Sequence, residues 1–186
     1  MKKIAITLLL ASTLLLTGCL GFGEDAPVVT STADQKGVYA NGEFQAQFPE
    51  TWEVFGKRDF TSEISSNTQT VFRSKKKNEV FIANVSVVKN ILPEGMIIGD
   101  YSKKLNESSA AVLQNYKKLD EKDESGKMIT IFQGKRSTKD PLLKFVQTII
   151  SKEKTILIAT AAFITNEDEV VAQEAQNIAQ SIQFVQ

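Results

Sequence analysis

The chain of 186 residues contains no histidine and a single cysteine, Cys19. Without an imidazole it has no Ser-His-Asp triad, no histidine-based zinc site and no histidine pH switch. One thiol forms neither an intrachain disulfide nor a thiolate metal cluster. The patterns GxGxxG and GxxxxGK[ST] do not occur, so the usual signatures of dinucleotide and P-loop nucleotide binding are missing too. These absences exclude many familiar enzyme classes.

The N-terminal residues have the order of a bacterial export signal. Lys2 and Lys3 precede an uncharged, leucine-rich stretch over residues 4–16. Leu16-Thr17-Gly18-Cys19 follows and resembles the lipobox of bacterial lipoproteins. The resemblance implies a signal peptide over residues 1–18, cleavage before Cys19 and lipidation of that thiol with diacylglycerol, often with a further acyl chain such as palmitate on the new amine. A retained transmembrane helix is the weaker interpretation, because a bilayer crossing needs about 20 apolar residues.

The remaining chain divides into a short tether and one domain. Residues 19–36 contain Gly, Pro, Ser, Thr and Asp with little apolar periodicity, which predicts a flexible tether with a root-mean-square reach of roughly 20–25 Å. Residues 37–186 are enough for one domain with a real core. Loss of Lys2 and Lys3 from the 22 basic and 22 acidic residues leaves a net charge of −2. That balance argues against nucleic acid as a partner.

Period-two patterns predict a largely antiparallel sheet. The predicted strands cover residues 44–48, 52–55, 69–73, 80–88, 127–133, 142–150 and 155–163. The last two are apolar on both faces and are separated only by Ser151-Lys152-Glu153-Lys154. Such strands are usually covered on both sides, so we predict that these two form a central hairpin.

Helical spacing appears twice. A first helix over about residues 99–117 is predicted by a stripe of Ile98, Tyr101, Leu105, Val112, Tyr116 and Leu119. A second follows Thr165 or Asn166 as N-cap, and its apolar stripe comprises Val171, Ala175, Ile178 and Ile182. The fold class is therefore α+β, an antiparallel β-sheet with helices packed on its faces.

The segment Phe44–Val54, FQAQFPETWEV, carries a family resemblance. An apolar strand runs into Phe48-Pro49-x-x-Trp52, and the order of hairpins and helices continues the likeness to residue 186. This resembles PsbP-like domains, which include extrinsic photosystem proteins and bacterial lipoproteins of unassigned role. The resemblance implies an α/β/α sandwich and a partner-binding or assembly-assisting role. Histidine-dependent metal sites of the plant members cannot form in this chain.

Three features invite a functional interpretation beside a plainer one. Trp52, after a proline turn, is predicted to be a core aromatic residue more readily than a ligand platform. The acidic run Asp120-Glu121-Lys122-Asp123-Glu124 is predicted to be a solvated turn, and Ca²⁺ or Mg²⁺ binding is the alternative although EF-hand spacing is missing. Lys75-Lys76-Lys77 is predicted to be a charged hairpin tip, with lipid headgroup contact as the alternative.

Catalytic groupings are weakly indicated. Ser74/Lys75 and Ser102/Lys103 are adjacent in sequence and do not face each other, so a Ser-Lys nucleophile has little support. Glu43, Glu50, Glu53 and Glu63 could supply a carboxylate pair for hydrolysis, but sequence fixes no pairing among them. An apolar cavity near Ala159, Ala161 and Ala162 would suit a small-molecule carrier.

The sequence thus favours a non-enzymatic, lipid-anchored cell-envelope protein that acts as a binding or assembly-assisting module. Its expected location is the extracytoplasmic side of a cell membrane or outer membrane, held by lipid on Cys19. The expected partner is an unidentified envelope protein, and no cofactor or metal is expected. The alternatives are a carboxylate-based hydrolase acting on cell-wall or glycan material, and a small-molecule carrier.

Overall fold

The computed structural model describes residues 37–61 and 64–185. The predictions for the signal peptide, Cys19, the tether and Glu63 therefore lie outside the described residues. Within the described ranges, no helix combines the length and the apolar character that a bilayer crossing requires.

Ten strands and two α-helices form two antiparallel sheets in the described part of the chain. In chain order they are β1 (Val38–Ala40), β2 (Phe44–Gln47), β3 (Trp52–Gly56), β4 (Thr68–Ser74), β5 (Asn84–Ile91), α1 (Ile98–Val112), β6 (Gln114–Glu124), β7 (Lys127–Lys135), β8 (Leu143–Lys152), β9 (Thr155–Ile164), α2 (Glu169–Ser181) and β10 (Gln183–Phe184). The larger sheet has the order β3-β4-β5-β9-β8-β7-β6, and the smaller has the order β1-β2-β10.

The hairpin of β8 and β9 lies inside the larger sheet and is buried on both faces. Residues 145–150 of β8 and 156–164 of β9 are all buried. Their register pairs Val146 with Ala161 and Ile149 with Ile158. The predicted central hairpin is confirmed, because a strand without a polar face has no side that favours water.

The two helices cover opposite faces of this hairpin. Leu157 and its same-face neighbours pack in one cluster with Val171, Ala175 and Ile178 of α2. Ile158, the next residue, packs instead with Tyr101 and Leu105 of α1. Successive strand residues point to opposite faces, so the helices form separate layers and the predicted α+β sandwich is confirmed.

The smaller sheet covers the rest of the α2 face. Phe44 and Ala46 of β2 are buried there with Tyr39 and Phe72. The Tyr39 and Phe72 rings meet edge to face, with centroids 5.7 Å apart and planes at 86°. This geometry is one that aromatic pairs favour, and it joins β1 to the middle of β4.

The predicted first helix was too long at its C-terminal end. The helix ends at Val112, and the chain then enters β6, where Tyr116 and Leu119 lie. Asn115 has a positive φ of 55°, and Tyr116 packs on Phe132 of the sheet with ring centroids 5.6 Å apart. Two register shifts against β7 disturb the alternation of β6, so its apolar residues imitated a helical period.

The acidic run is also placed differently from the prediction. Residues 120–124 belong to the exposed edge strand β6 and not to a turn. Charged side chains on an edge strand discourage pairing with other chains, which gives this composition a structural reason.

Two predicted element boundaries, the start of β5 and the N-cap of α2, differ from those in the structure. The strand predicted at residue 80 begins at Asn84, and Val80 in the preceding loop is 65% exposed. The N-cap of α2 is Asp168, not Thr165 or Asn166: its Oδ1 accepts from the N–H groups of Val170 at 3.1 Å and Val171 at 3.3 Å. The N–H of Thr165 instead donates to the carbonyl oxygen of Leu142, which keeps this residue with the sheet.

Candidate functional site

A surface groove of about 450 Å³ separates the β2–β3 connection from α2. Its lining mixes apolar and polar groups: Gly37, Val38, Gln47, Phe48, Pro49, Glu174, Asn177 and Ile178. Phe48 and Pro49 begin the motif found in the sequence. Gly37 directly precedes β1 of the smaller sheet and lies at one edge of the groove.

Glycine is needed where the chain enters. Gly37 has a positive φ of 89°, and its carbonyl oxygen accepts from the Phe48 N–H at 2.7 Å. A Cβ at position 37 would lie 2.9 Å from the Phe48 carbonyl oxygen, closer than real contacts allow. A side chain at position 37 would therefore be strained by the left-handed backbone and would clash with the Phe48 carbonyl group.

Trp52 is a core residue, as predicted, and it also fixes the groove. Its ring is 1% exposed, and its indole N–H donates to Glu174 Oε2 at 2.8 Å. The Thr51 hydroxyl donates to the same carboxylate, 3.1 Å from each oxygen. A carboxylate that accepts several hydrogen bonds holds its donors firmly, so the β2–β3 turn is tied to the middle of α2.

Sequence reasoning missed Glu174. It lies between Val171 and Ile178 of the apolar stripe, three residues from one and four from the other, so helical spacing places it beside the buried face. An acidic residue at such a position, in a chain with one tryptophan, was the available signal. Its partner became evident only once β3 was placed against the helix.

Both ends of α2 are held by lysines. Lys76 Nζ lies 2.7 Å from Asp168 Oδ2 at the N-cap. Lys127 Nζ donates to the carbonyl oxygens of Gln180 at 2.9 Å and Ile182 at 3.1 Å, at the other end. A cation near the last carbonyl groups opposes the negative end of the helix dipole. The helix wall of the groove is thus fixed along its length.

Two of the three lysines in the run 75–77 bind the protein itself. Besides the Lys76 ion pair, Lys75 Nζ donates to the Glu50 carbonyl oxygen at 2.7 Å. The run follows β4 in the β4–β5 connection, as predicted, and it joins that connection to both α2 and the β2–β3 turn.

Two of the candidate carboxylates, those of Glu43 and Glu53, pair with cations. Glu43 Oε1 lies 2.6 Å from Lys89 Nζ, and Glu53 Oε1 lies 2.6 Å from Arg73 Nη2. Glu43 lies in the turn between β1 and β2 of the smaller sheet, whereas Glu53 belongs to the larger one. Glu50 is exposed on the β2–β3 turn. The structure therefore commits Glu43 and Glu53 to separate ion pairs in different sheets, not to each other as acid and base.

The Ser-Lys candidates are likewise separated. Ser74 Oγ accepts from the Lys76 N–H at 3.2 Å, while the Lys75 amine binds Glu50. Ser102 is fully buried on the inner side of α1, and Lys103 of the same helix is exposed. Neither pair brings an amine to the serine hydroxyl.

The metal and cavity candidates are accounted for by other contacts. Lys118 pairs with Glu121 at 2.6 Å, and Lys122 pairs with Glu124 at 2.5 Å. Across residues 37–61 and 64–185, no three His, Cys, Asp or Glu residues are grouped to hold a metal. Ala159, Ala161 and Ala162 are buried in apolar clusters, and none of them lines the groove.

Two solved structures of low sequence identity share this fold. The solution structure of cyanobacterial PsbP (CyanoP) from Synechocystis sp. PCC 6803 matches with a TM-score of 0.57 and 13% identity, over 86% of this chain and 100% of that one. The crystal structure of LpqN, described as involved in cell envelope biogenesis of Mycobacterium tuberculosis, matches with a TM-score of 0.57 and 11% identity, over 83% and 87%. No protein-family model and no curated protein matches the sequence. The fold is PsbP-like, as the Phe48-Pro49-x-x-Trp52 motif predicted.

Replacement of Trp52 by phenylalanine tests the link between the turn and α2. The variant keeps an aromatic ring but leaves the Glu174 carboxylate without its indole donor, so we expect a loss of about 2 kcal/mol in the free energy of unfolding. Urea unfolding followed by circular dichroism measures it. Glu174→Gln, which keeps an acceptor oxygen, should lose less. A Trp52→Phe variant as stable as the wild type would contradict the assigned role.

Acid stability tests the N-cap of α2. The hydrogen bond from Lys76, followed by that from the Val171 N–H, holds the pKa of Asp168 below its usual value. A lowered folded-state pKa adds stability that is fully present above the unfolded-state pKa of about 3.9 and is lost as the pH falls through the folded value. Asp168→Asn keeps the capping acceptor and removes the charge.

We therefore expect wild type to be more stable than Asp168→Asn between pH 5 and 8, with the difference shrinking at pH values below about 4. Urea unfolding at a series of pH values measures it. Lys76→Met should reduce the same pH dependence. An Asp168→Asn variant that matches wild type at every pH would show that the charge contributes nothing.

Proposed function

We propose that this chain is a lipid-anchored, non-enzymatic binding module on the extracytoplasmic side of the cell envelope, and that it presents the groove beside α2 to an envelope protein. The observation that carries the proposal is the position of Gly37. Gly37, which directly precedes β1 and follows the predicted tether in sequence, lines the groove. An anchor on Cys19 would therefore keep this surface within the reach of the tether from the membrane.

The lipid would act by localisation. Each buried methylene contributes about 0.8 kcal/mol, and two chains suffice for stable anchoring. The 17 residues between Cys19 and Gly37 allow a root-mean-square reach of roughly 20–25 Å. A partner in the same membrane then meets the groove at a raised effective concentration, so a modest intrinsic affinity is enough.

The groove chemistry suits an extended peptide segment. Val38, Phe48 and Pro49 offer apolar surface for a side chain, while Gln47 and Asn177 offer amide groups for a peptide backbone. Small sites of this kind combine apolar walls with a few polar groups that fix orientation. The ties from Trp52 and Lys127 to α2 keep the walls in place before a partner arrives.

The PsbP-like fold supports an envelope role without determining it. LpqN, which shares the fold, is described as involved in cell envelope biogenesis. CyanoP shares the fold as well. One fold can have many functions, so the proposal depends on the groove and the anchor motif. The two structural neighbours are consistent with it but do not establish it.

Site-specific photo-crosslinking in intact cells tests the proposal. A photoreactive residue at Asn177 lies in the groove, and the same residue at Glu107 lies exposed on α1, on the opposite face. We expect position 177 to capture one recurrent envelope protein and position 107 to capture none. Equal capture at both positions, or none at either, would contradict the groove as the binding surface.

The anchor is tested in the same cells with Cys19→Ala. This variant should lose labelled palmitate, leave the membrane fraction and lose the crosslink at position 177, while its circular dichroism stays unchanged. Persistent palmitate labelling would contradict lipidation of Cys19. A crosslink that survives release from the membrane would show that binding does not depend on the anchor.

A further inference from the structure

A row of polar side chains crosses the buried α1 face of the larger sheet. Ser86, Thr160, Gln147 and Thr130 lie on β5, β9, β8 and β7, each directly opposite the next in the strand register. All four are at most 5% exposed. The Gln147 Nε2 group donates to Thr160 Oγ1 at 3.2 Å. We call these four residues the polar band.

The polar band lies between two apolar clusters. One contains Phe132 and Phe145 near one end of the strands, and the other contains Ile149 and Ile158 near the other end. Burial of a polar row in the middle of a sheet face lowers stability unless its groups are hydrogen-bonded. The residues of α1 that cover the row therefore determine how well it is satisfied.

The underside of α1 is polar as well. Its buried residues include Ser102, Asn106 and Ser109 beside Tyr101 and Leu105. Asn106 Nδ2 reaches across to Glu121 Oε1 at 3.2 Å and to Thr130 Oγ1 at 3.5 Å.

Three buried polar atoms at this contact have no protein partner. They are Ser102 Oγ, Asn106 Oδ1 and Gln147 Oε1, which belong to residues at most 8% exposed. The interface between α1 and the sheet therefore contains hydrogen-bonding capacity that the closed protein does not use.

The opposite helix is built differently. The buried residues of α2 are Val171, Ala175, Ile178 and Ala179, all apolar. Asp168 caps its first turn through side-chain hydrogen bonds, whereas the N-cap of α1, Ile97, makes none. Separation of α2 from the sheet would expose the apolar residues of this helix to water, which is unfavourable. Separation of α1 would also expose polar groups, and water can form hydrogen bonds with these.

The sequence of α1 also weakens the helix and provides turning points at both ends. The hydroxyls of Ser108 and Ser109 bond the carbonyl oxygens four residues earlier at 3.0 Å, a contact that slightly destabilises helices. Gly95 precedes the helix with φ of 74°, and Asn115 follows it with φ of 55°. Both residues have a positive φ, unlike the residues next to them, and they lie at the two ends of α1, where a hinge would be needed.

We propose that α1 is a hinged cover that lifts from the polar band as a unit while the sheet and α2 remain folded. Opening exposes a hydrogen-bonding strip flanked by two apolar clusters, and water or a small hydrogen-bonding molecule satisfies the three unpartnered atoms. This property is independent of the proposed function, because the groove lies on the α2 face of the sheet.

Native-state hydrogen exchange on the full chain tests the cover. We expect amides of α1 to exchange at least about tenfold faster than those of α2, because a helix of 15 residues lifted from the sheet does not keep its hydrogen bonds, and with a weaker dependence on denaturant than global unfolding shows. Equal rates in the two helices, with the same strong dependence on denaturant, would overturn the proposal because both would then open only on global unfolding.

Substitutions that make the contact apolar test its cause. Ser102→Ala, Gln147→Leu and Thr160→Val together remove two unpartnered atoms and the hydroxyl that Gln147 binds, so exchange in α1 should slow by about tenfold relative to α2. Thr148→Val is the matched control: Thr148 is fully buried and its hydroxyl has no protein partner, but its strand neighbours Ile129 and Ala159 face α2. This control should leave the ratio of α1 to α2 exchange unchanged. An equal change in both variants would overturn the assignment to the polar band.

Discussion

The apolar character of the β8–β9 hairpin on both faces is the constraint on which the other layers depend. Both faces of Ile156–Ile164 are buried and largely apolar, so a cover on each face stabilises the sheet. The α2 helix and the smaller sheet cover one face, and α1 covers part of the other. Strands β5 and β7 flank the hairpin and extend both covered surfaces. The sandwich follows from this one segment of sequence.

The two covers differ in chemistry, and this difference separates a fixed surface from a movable one. Beneath α2 the contact is apolar apart from the Thr148 hydroxyl, and the helix is tied by Trp52, Lys76 and Lys127 to three separate parts of the sheet layer. A binding groove benefits from such rigid walls, because less conformational freedom is lost when a partner binds. Beneath α1 the polar band offers weaker attachment, which suits a helix that moves.

The sequence predicted those features that a single periodic pattern determines. Residues that are apolar on both faces of β8 and β9 predicted the hairpin. The uninterrupted apolar stripe through Ile178 predicted α2, and the proline turn before Trp52 predicted that this residue lies in the core. Features determined by pairing between distant segments were missed. Glu174 acquires its role from Trp52, 122 residues away, and Asp168 gains its ion pair from Lys76, 92 residues away. The end of α1 was misplaced because register shifts in β6 broke its alternation.

The most direct test of this account compares alanine substitutions at two successive residues of β9. Leu157 and Ile158 are both at most 1% exposed, but the first faces α2 and the second faces α1. If both faces of the hairpin are core, Leu157→Ala and Ile158→Ala should each lower the free energy of unfolding by about 2–5 kcal/mol in urea titrations. A substantial loss at one position and almost none at the other would contradict the account, because the hairpin would then have only one covered face.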